Sequence, residues 1–148
     1  MEIEDYYNKR DFFTNFTKFL KINKGLKIRK IKGIHELNKP QMYIIINNKI
    51  QEIWYLRYSK DYRGYIYFFG FEKNYLEKLS KYEGYIIFGC GSIKNIFKIP
   101  ANWIIEKLRH VSTAIDHNYK IHINEKFGEY KFKVPNGAEI NIEKFRYS

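Results

Sequence analysis

Apolar residues recur at three- and four-residue steps early in the chain, at Phe12, Phe13, Phe16, Phe19 and Leu20. That spacing predicts an amphipathic helix over residues 5 to about 21, with its aromatic stripe turned to the core. Gly25 ends the pattern. Leu26-Lys27-Ile28-Arg29 then alternates apolar and basic, the period of a half-buried strand with Lys27 and Arg29 on its solvent side. Residues 41–46 and 50–58 are two β-prone runs joined by Asn47-Asn48-Lys49, a good hairpin turn because Asn tolerates positive φ.

Residues 65–71, rich in β-branched and aromatic side chains, predict a further strand. Residues 72–81 carry Tyr75, Leu76 and Leu79 on one helical face. A short buried strand over 84–88 is broken by Gly89-Cys90-Gly91, and a strand containing Ile93, Phe97 and Ile99 stops at Pro100. Residues 101–110 predict a helix that buries Trp103, Ile104 and Leu108. Residues 119–124 and 129–134 pair as a hairpin turning near Phe127-Gly128, and Asn136-Gly137 marks one more turn before a last short element. Strands outnumber helices, and several are joined by links too short for a parallel crossover. The expected fold is α+β, a mostly antiparallel curled sheet or half-open barrel of about six to eight strands flanked by two to three helices.

At 148 residues the chain suits one domain, 1–148, able to bury about two thirds of its unfolded surface. Its apolar and charged content is that of a globular protein. No stretch approaches the ~20 apolar residues of a membrane span. The acidic start, Met-Glu-Ile-Glu-Asp, lacks the basic and apolar regions of an export signal. Nor does any segment form a basic amphipathic helix with a Trp or Leu face for a membrane surface. Cys90 has no partner for an internal disulfide, and a cysteine-rich zinc site is excluded. Together these predict a cytoplasmic protein. The ending Phe145-Arg146-Tyr147-Ser148 suits a module cut from a longer protein.

Charge changes the picture most. Lys18, Lys21, Lys24, Lys27, Arg29, Lys30 and Lys32 follow one another with no acidic residue between them, in a chain of formal charge +11. Such density repels itself unless a negative partner offsets it, and nucleic-acid phosphate is the commonest one. An AT-rich or heat-adapted composition would also raise lysine. Heat-adapted surfaces, however, raise Glu alongside Lys, whereas here 16 acids face 27 bases. Alternation in 53–58 sets Trp54, Leu56 and Tyr58 on one face and Ile53, Tyr55 and Arg57 on the other. With Lys60 and Arg63 nearby, Tyr55 or Trp54 could stack on a base while the cations hold phosphates. A Tyr–Arg cross-strand pair that shields the sheet fits the same residues.

Catalytic chemistry has one candidate. Asp116 followed by Glu129-Tyr130-Lys131 resembles the two carboxylates and lysine with which PD-(D/E)xK nucleases bind Mg²⁺ and activate water. No proline precedes Asp116, and in the hairpin reading Glu129 and Lys131 are solvated strand positions. The four histidines (His35, His110, His117, His122) are dispersed, without metal spacing. Cys90 reads as a buried inert thiol. Gly89-Cys90-Gly91-Ser92 follows a strand but lacks the phosphate-loop lysine and the following helix. No metal or other cofactor is expected.

The segments Tyr67-Phe68-Phe69-Gly70, Tyr85-Ile86-Ile87-Phe88-Gly89, Phe97-Lys98-Ile99-Pro100 and Tyr119-Lys120-Ile121-His122-Ile123 resemble, in order and spacing, DNA-recognition regions attached to restriction enzymes. They are also similar to the variable amino-terminal modules of McrB-type, modification-dependent restriction systems. The resemblance spans residues 65–123. It implies a prokaryotic defence module that binds DNA, probing or flipping a modified base, while a fused or associated NTPase and nuclease do the cleavage.

The expectation is therefore a non-catalytic DNA-binding module. Lys27, Arg29, Lys30, Lys32, Arg57, Lys60 and Arg63 are the expected phosphate contacts, with Trp54 or Tyr55 stacking. The residues leave open a small Mg²⁺-dependent nuclease using Asp116, Glu129 and Lys131, an RNA-binding domain, and a protein-interaction module with an incidental positive surface.

Overall fold

A computed structural model describes residues 2–32, 34–37, 39–111, 118–135 and 137–148. Three α-helices and nine strands form among them: α1 (Glu2–Asn23), β1 (Lys27–Lys30), β2 (Met42–Asn47), β3 (Ile50–Ser59), β4 (Ile66–Glu72), α2 (Lys73–Lys81), β5 (Tyr85–Cys90), β6 (Ile96–Pro100), α3 (Ala101–Lys107), β7 (Asn118–Lys126), β8 (Glu129–Lys133) and β9 (Glu139–Asn141). The class is α+β and most pairs are antiparallel. The strands nevertheless divide into two sheets rather than curling as one, and neither closes into a barrel.

The first sheet runs β1-β2-β3-β5-β6, with β3 and β5 parallel (Trp54 opposite Tyr85, Ser59 opposite Cys90). The second runs β4-β7-β8-β9, all antiparallel. β4 follows β3 in sequence but leaves its sheet. Two contacts mark the departure. Ser59 Oγ accepts from the Phe68 amide at 2.8 Å, and Arg57 Nη1 donates to the Gly70 carbonyl at 2.8 Å.

The first sheet is the middle layer. On one side Phe12, Phe16 and Leu20 of α1 cover Ile45, Trp54, Leu56, Ile87 and Ile96. On the other, Ile86, Phe88, Phe97 and Ile99 meet Phe69, Phe71, Ile121, Ile123 and Phe132 of the second sheet, with α2 and α3 completing the core. Burial on both faces explains why β5 reads as a continuous apolar run instead of alternating. Gly25, at φ +64°, turns the chain out of α1, and the Leu26 amide returns to the Leu20 carbonyl at 3.1 Å.

Candidate nucleic-acid interface

β1 is an edge strand, paired only with β2, so part of its backbone hydrogen-bonding capacity faces outward. Ile28 packs toward α1, while Lys27, Arg29, Lys30 and Lys32 are all exposed. Arg29, Lys30 and Lys32 converge, with Ile44, on one surface hollow of about 570 Å³. Among the described residues none of the four bases forms an ion pair. Lys18 and Lys21 are exposed on the last turns of α1, the helix that abuts β1, and Lys24 lies just past its end, over the Phe19 and Tyr147 rings. Unpaired cations gathered this way are chemically suited to a polyanion.

Tyr55 and Arg57 share a face of β3, as the alternation predicted. That face looks into the cleft between the sheets, not to open solvent. The Arg57 guanidinium is held by Gly70 and lies 4.6 Å from the Phe71 ring centre and 5.3 Å from that of Tyr55. Tyr55 is half-buried and meets the Phe71 and Tyr75 rings edge-on. Around them is a cleft of about 470 Å³ that Lys9, Lys39 and Gln41 also line. Lys39 lies 3.9 Å from Glu72 and over the Tyr75 ring. Tyr75 is anchored from behind, its hydroxyl donating to the Leu37 carbonyl at 3.0 Å, and burial raises its pKa.

Trp54 corrects an expectation. It is 2% exposed, which leaves no ring face for a base. Its indole N–H donates to Glu52 at 3.0 Å, Lys98 lies 5.0 Å above the ring, and Tyr147 meets it edge-on. Lys60 sits over the Tyr62 ring, and Arg63 is exposed at φ +59° in the turn between β3 and β4. They lie beyond the far end of β3 from the β1 bases' strand partners, so the predicted contacts do not form one patch. β1 holds one group and β3 with its following turn the other.

Of the nuclease trio, Asp116 lies outside the described residues. Glu129 is exposed at the hairpin end opposite Lys126, and Lys131 is opposite Asn124 and Asn141. Among the described residues no three of His, Cys, Asp and Glu are grouped to hold a metal. Cys90 is 1% exposed and burial pushes its thiol pKa well up, against the weaker pull of Arg146. No described helix is long and apolar enough to cross a membrane.

Sequence reasoning passed over the solvent face of the second sheet. Phe68 and His122 stand side by side there, ring centres 5.3 Å apart, with Lys120, Lys131 and Lys133 on the same side. The signal was present as alternation in residues 118–126, where Asn118, Lys120, His122, Asn124 and Lys126 are the polar positions.

No family model, curated protein or solved structure matches the chain. The segments on which a likeness to restriction-system modules was expected fall on β4, β5, β6 and β7, and their apolar side chains are mostly core.

Proposed function

We propose that this chain is a non-catalytic nucleic-acid-binding module that holds duplex DNA by its phosphates along β1. The observation that carries the reading is the convergence of Arg29, Lys30 and Lys32 on one hollow with no ion-pairing acid among the described residues. Lys27 shares a face of β1 with Arg29, and outward backbone amides of an edge strand are further donors for phosphate oxygens. Tyr55 and Arg57 act elsewhere, as aromatic and cationic walls of a cleft suited to an extruded base. The resemblance of residues 65–123 adds the context: a cytoplasmic recognition module of a prokaryotic defence system, working with a separate NTPase or nuclease.

Duplex binding measured by gel shift across a salt series tests this. Each neutralised phosphate contributes a slope of about −0.9 in log affinity against log salt, so contacts from Lys27, Arg29, Lys30 and Lys32 together give a slope of several units. Charge reversal of Arg29 and Lys30 weakens binding to all sequences alike. A flat salt response removes the proposal. Running modified duplex, unmodified duplex and single strands in parallel separates DNA from RNA-like recognition and shows whether a base modification is read.

A further inference from the structure

The second sheet has a buried side and a bare one. Tyr67, Phe69, Phe71, Tyr119, Ile121, Ile123, Tyr130 and Phe132 are buried in the core. The alternate residues face outward in rows fixed by strand pairing: Phe68 beside His122 beside Lys133, and Ile66 beside Asn124 beside Lys131. Lys120 stands two residues before His122 on β7, opposite Gly70.

Three features of this face point to one kind of occupant. Phe68 is 39% exposed although it sits within a strand, and its edge-on contact with His122 gives two adjacent rings on a sheet surface. Lys120, Lys131 and Lys133 surround the rings, and among the described residues none of them forms an ion pair. Glu139, opposite Lys133 on β9, is the nearest acid by register and makes no ion pair with it. Finally, Asn124 Oδ1 is shut off from solvent without a hydrogen-bond partner, an unmet acceptor that a shift of its side chain would open to a donor on this face. Burial and the neighbouring Lys133 both lower the His122 pKa, so its ring is neutral at neutral pH and free to stack.

We infer that this face is a platform for single-stranded nucleic acid, with bases stacking on Phe68 and His122 and phosphates meeting Lys120, Lys131 and Lys133. A sheet surface with aromatics at its centre and cations around them matches the repeating chemistry of an unpaired strand: a π-face at every base and a charge at every phosphate. A duplex hides its base faces and could use only the lysines. The platform therefore differs in substrate and in residues from the β1 surface, and neither site depends on the other.

The test is fluorescence anisotropy of the full chain with labelled twelve-nucleotide dT and U strands, and with a labelled duplex. Loss of one stacked base costs about tenfold in affinity. Phe68→Ala is expected to weaken both single strands by about that factor while Phe68→Tyr restores binding. Lys131→Glu with Lys133→Glu is expected to flatten the salt dependence for single strands, and Arg29→Glu with Lys30→Glu to leave single-strand affinity within about twofold. Because Phe68 is exposed, near-ultraviolet circular dichroism should match wild type. Equal binding by wild type and Phe68→Ala overturns the platform. So does loss of all single-strand binding on reversing Arg29 and Lys30, a result that keeps the β1 reading. A flat salt response for the duplex, with single strands still sensitive to Phe68→Ala, overturns the β1 reading and keeps the platform.

Discussion

The guanidinium of Arg57 donates to the carbonyl of Gly70 at 2.8 Å, joining β3 of the first sheet to β4 of the second. Phe71, the next residue, lies beneath the same cation at 4.6 Å. Arg57 thus belongs to the architecture as much as to any surface. Its replacement by Ala removes a charged hydrogen bond and is expected to destabilise the protein by about 1.5–3 kcal/mol. Arg57→Lys keeps the charge but loses the planar fork, so it should recover only part of the loss. Urea unfolding of the three proteins measures this; equal midpoints would show that the contact contributes nothing.

Gly89 is pinned by Phe12. A Cβ at position 89 would stand 2.2 Å from Cζ of the Phe12 ring. Gly89→Ala should therefore push α1 off the first sheet, at a cost of about 1–3 kcal/mol. Shortening the ring with Phe12→Leu opens room for the methyl, so the double variant should lose less than the two single losses added together. Thermal unfolding of all four proteins checks the coupling.

Cys90 should be silent toward thiol reagents in the native protein. Its thiol is buried, and burial disfavours the thiolate that reacts. Labelling by a disulfide reagent is expected only at the rate of unfolding, and denaturant should release one fast-reacting thiol per chain. Rapid native labelling would contradict the buried placement.

His122 makes stability depend on pH with a definite sign. Burial, then Lys133, lower its pKa in the folded state below the ordinary value near 6.5. The unfolded chain consequently binds the proton more readily, and stability falls as pH drops from about 6.5 through the folded-state pKa. His122→Gln removes that proton-binding difference. The gap between the variant and wild type in urea midpoint should thus shift in the variant's favour between pH 7.5 and 5.5. An unchanged gap would mean that His122 titrates normally.

Local pattern was enough for most elements, although β5 runs on through Gly89 to Cys90 and β6 begins at Ile96, past Ile93. The step of Phe12, Phe16 and Leu20 specified α1 and its buried face, and Asn47-Asn48 marked the turn where Asn48 indeed takes φ +56°. Alternation in β3 sorted Trp54 and Leu56 from Tyr55 and Arg57 correctly. What it could not say was what covers each side. Trp54 looked available for stacking because a strand seen alone has one core face; here helix α1 lies over the second.

The candidate site divides in the same way. Charge density around Lys27 to Lys32 was legible from residue types alone, because like charges close in sequence remain close on any short strand. The grouping of Phe68 with His122 and Lys133 was not, because it depends on β4 pairing with β7 and β7 with β8 across long separations. Composition and period by themselves determined the α+β class, most of the elements and the excess of positive charge. Only the tertiary structure decided that there are two sheets, that β3 and β5 run parallel, and which aromatics meet solvent. Those outcomes depend on long-range pairing and on which faces find partners, and no local window of sequence contains that information.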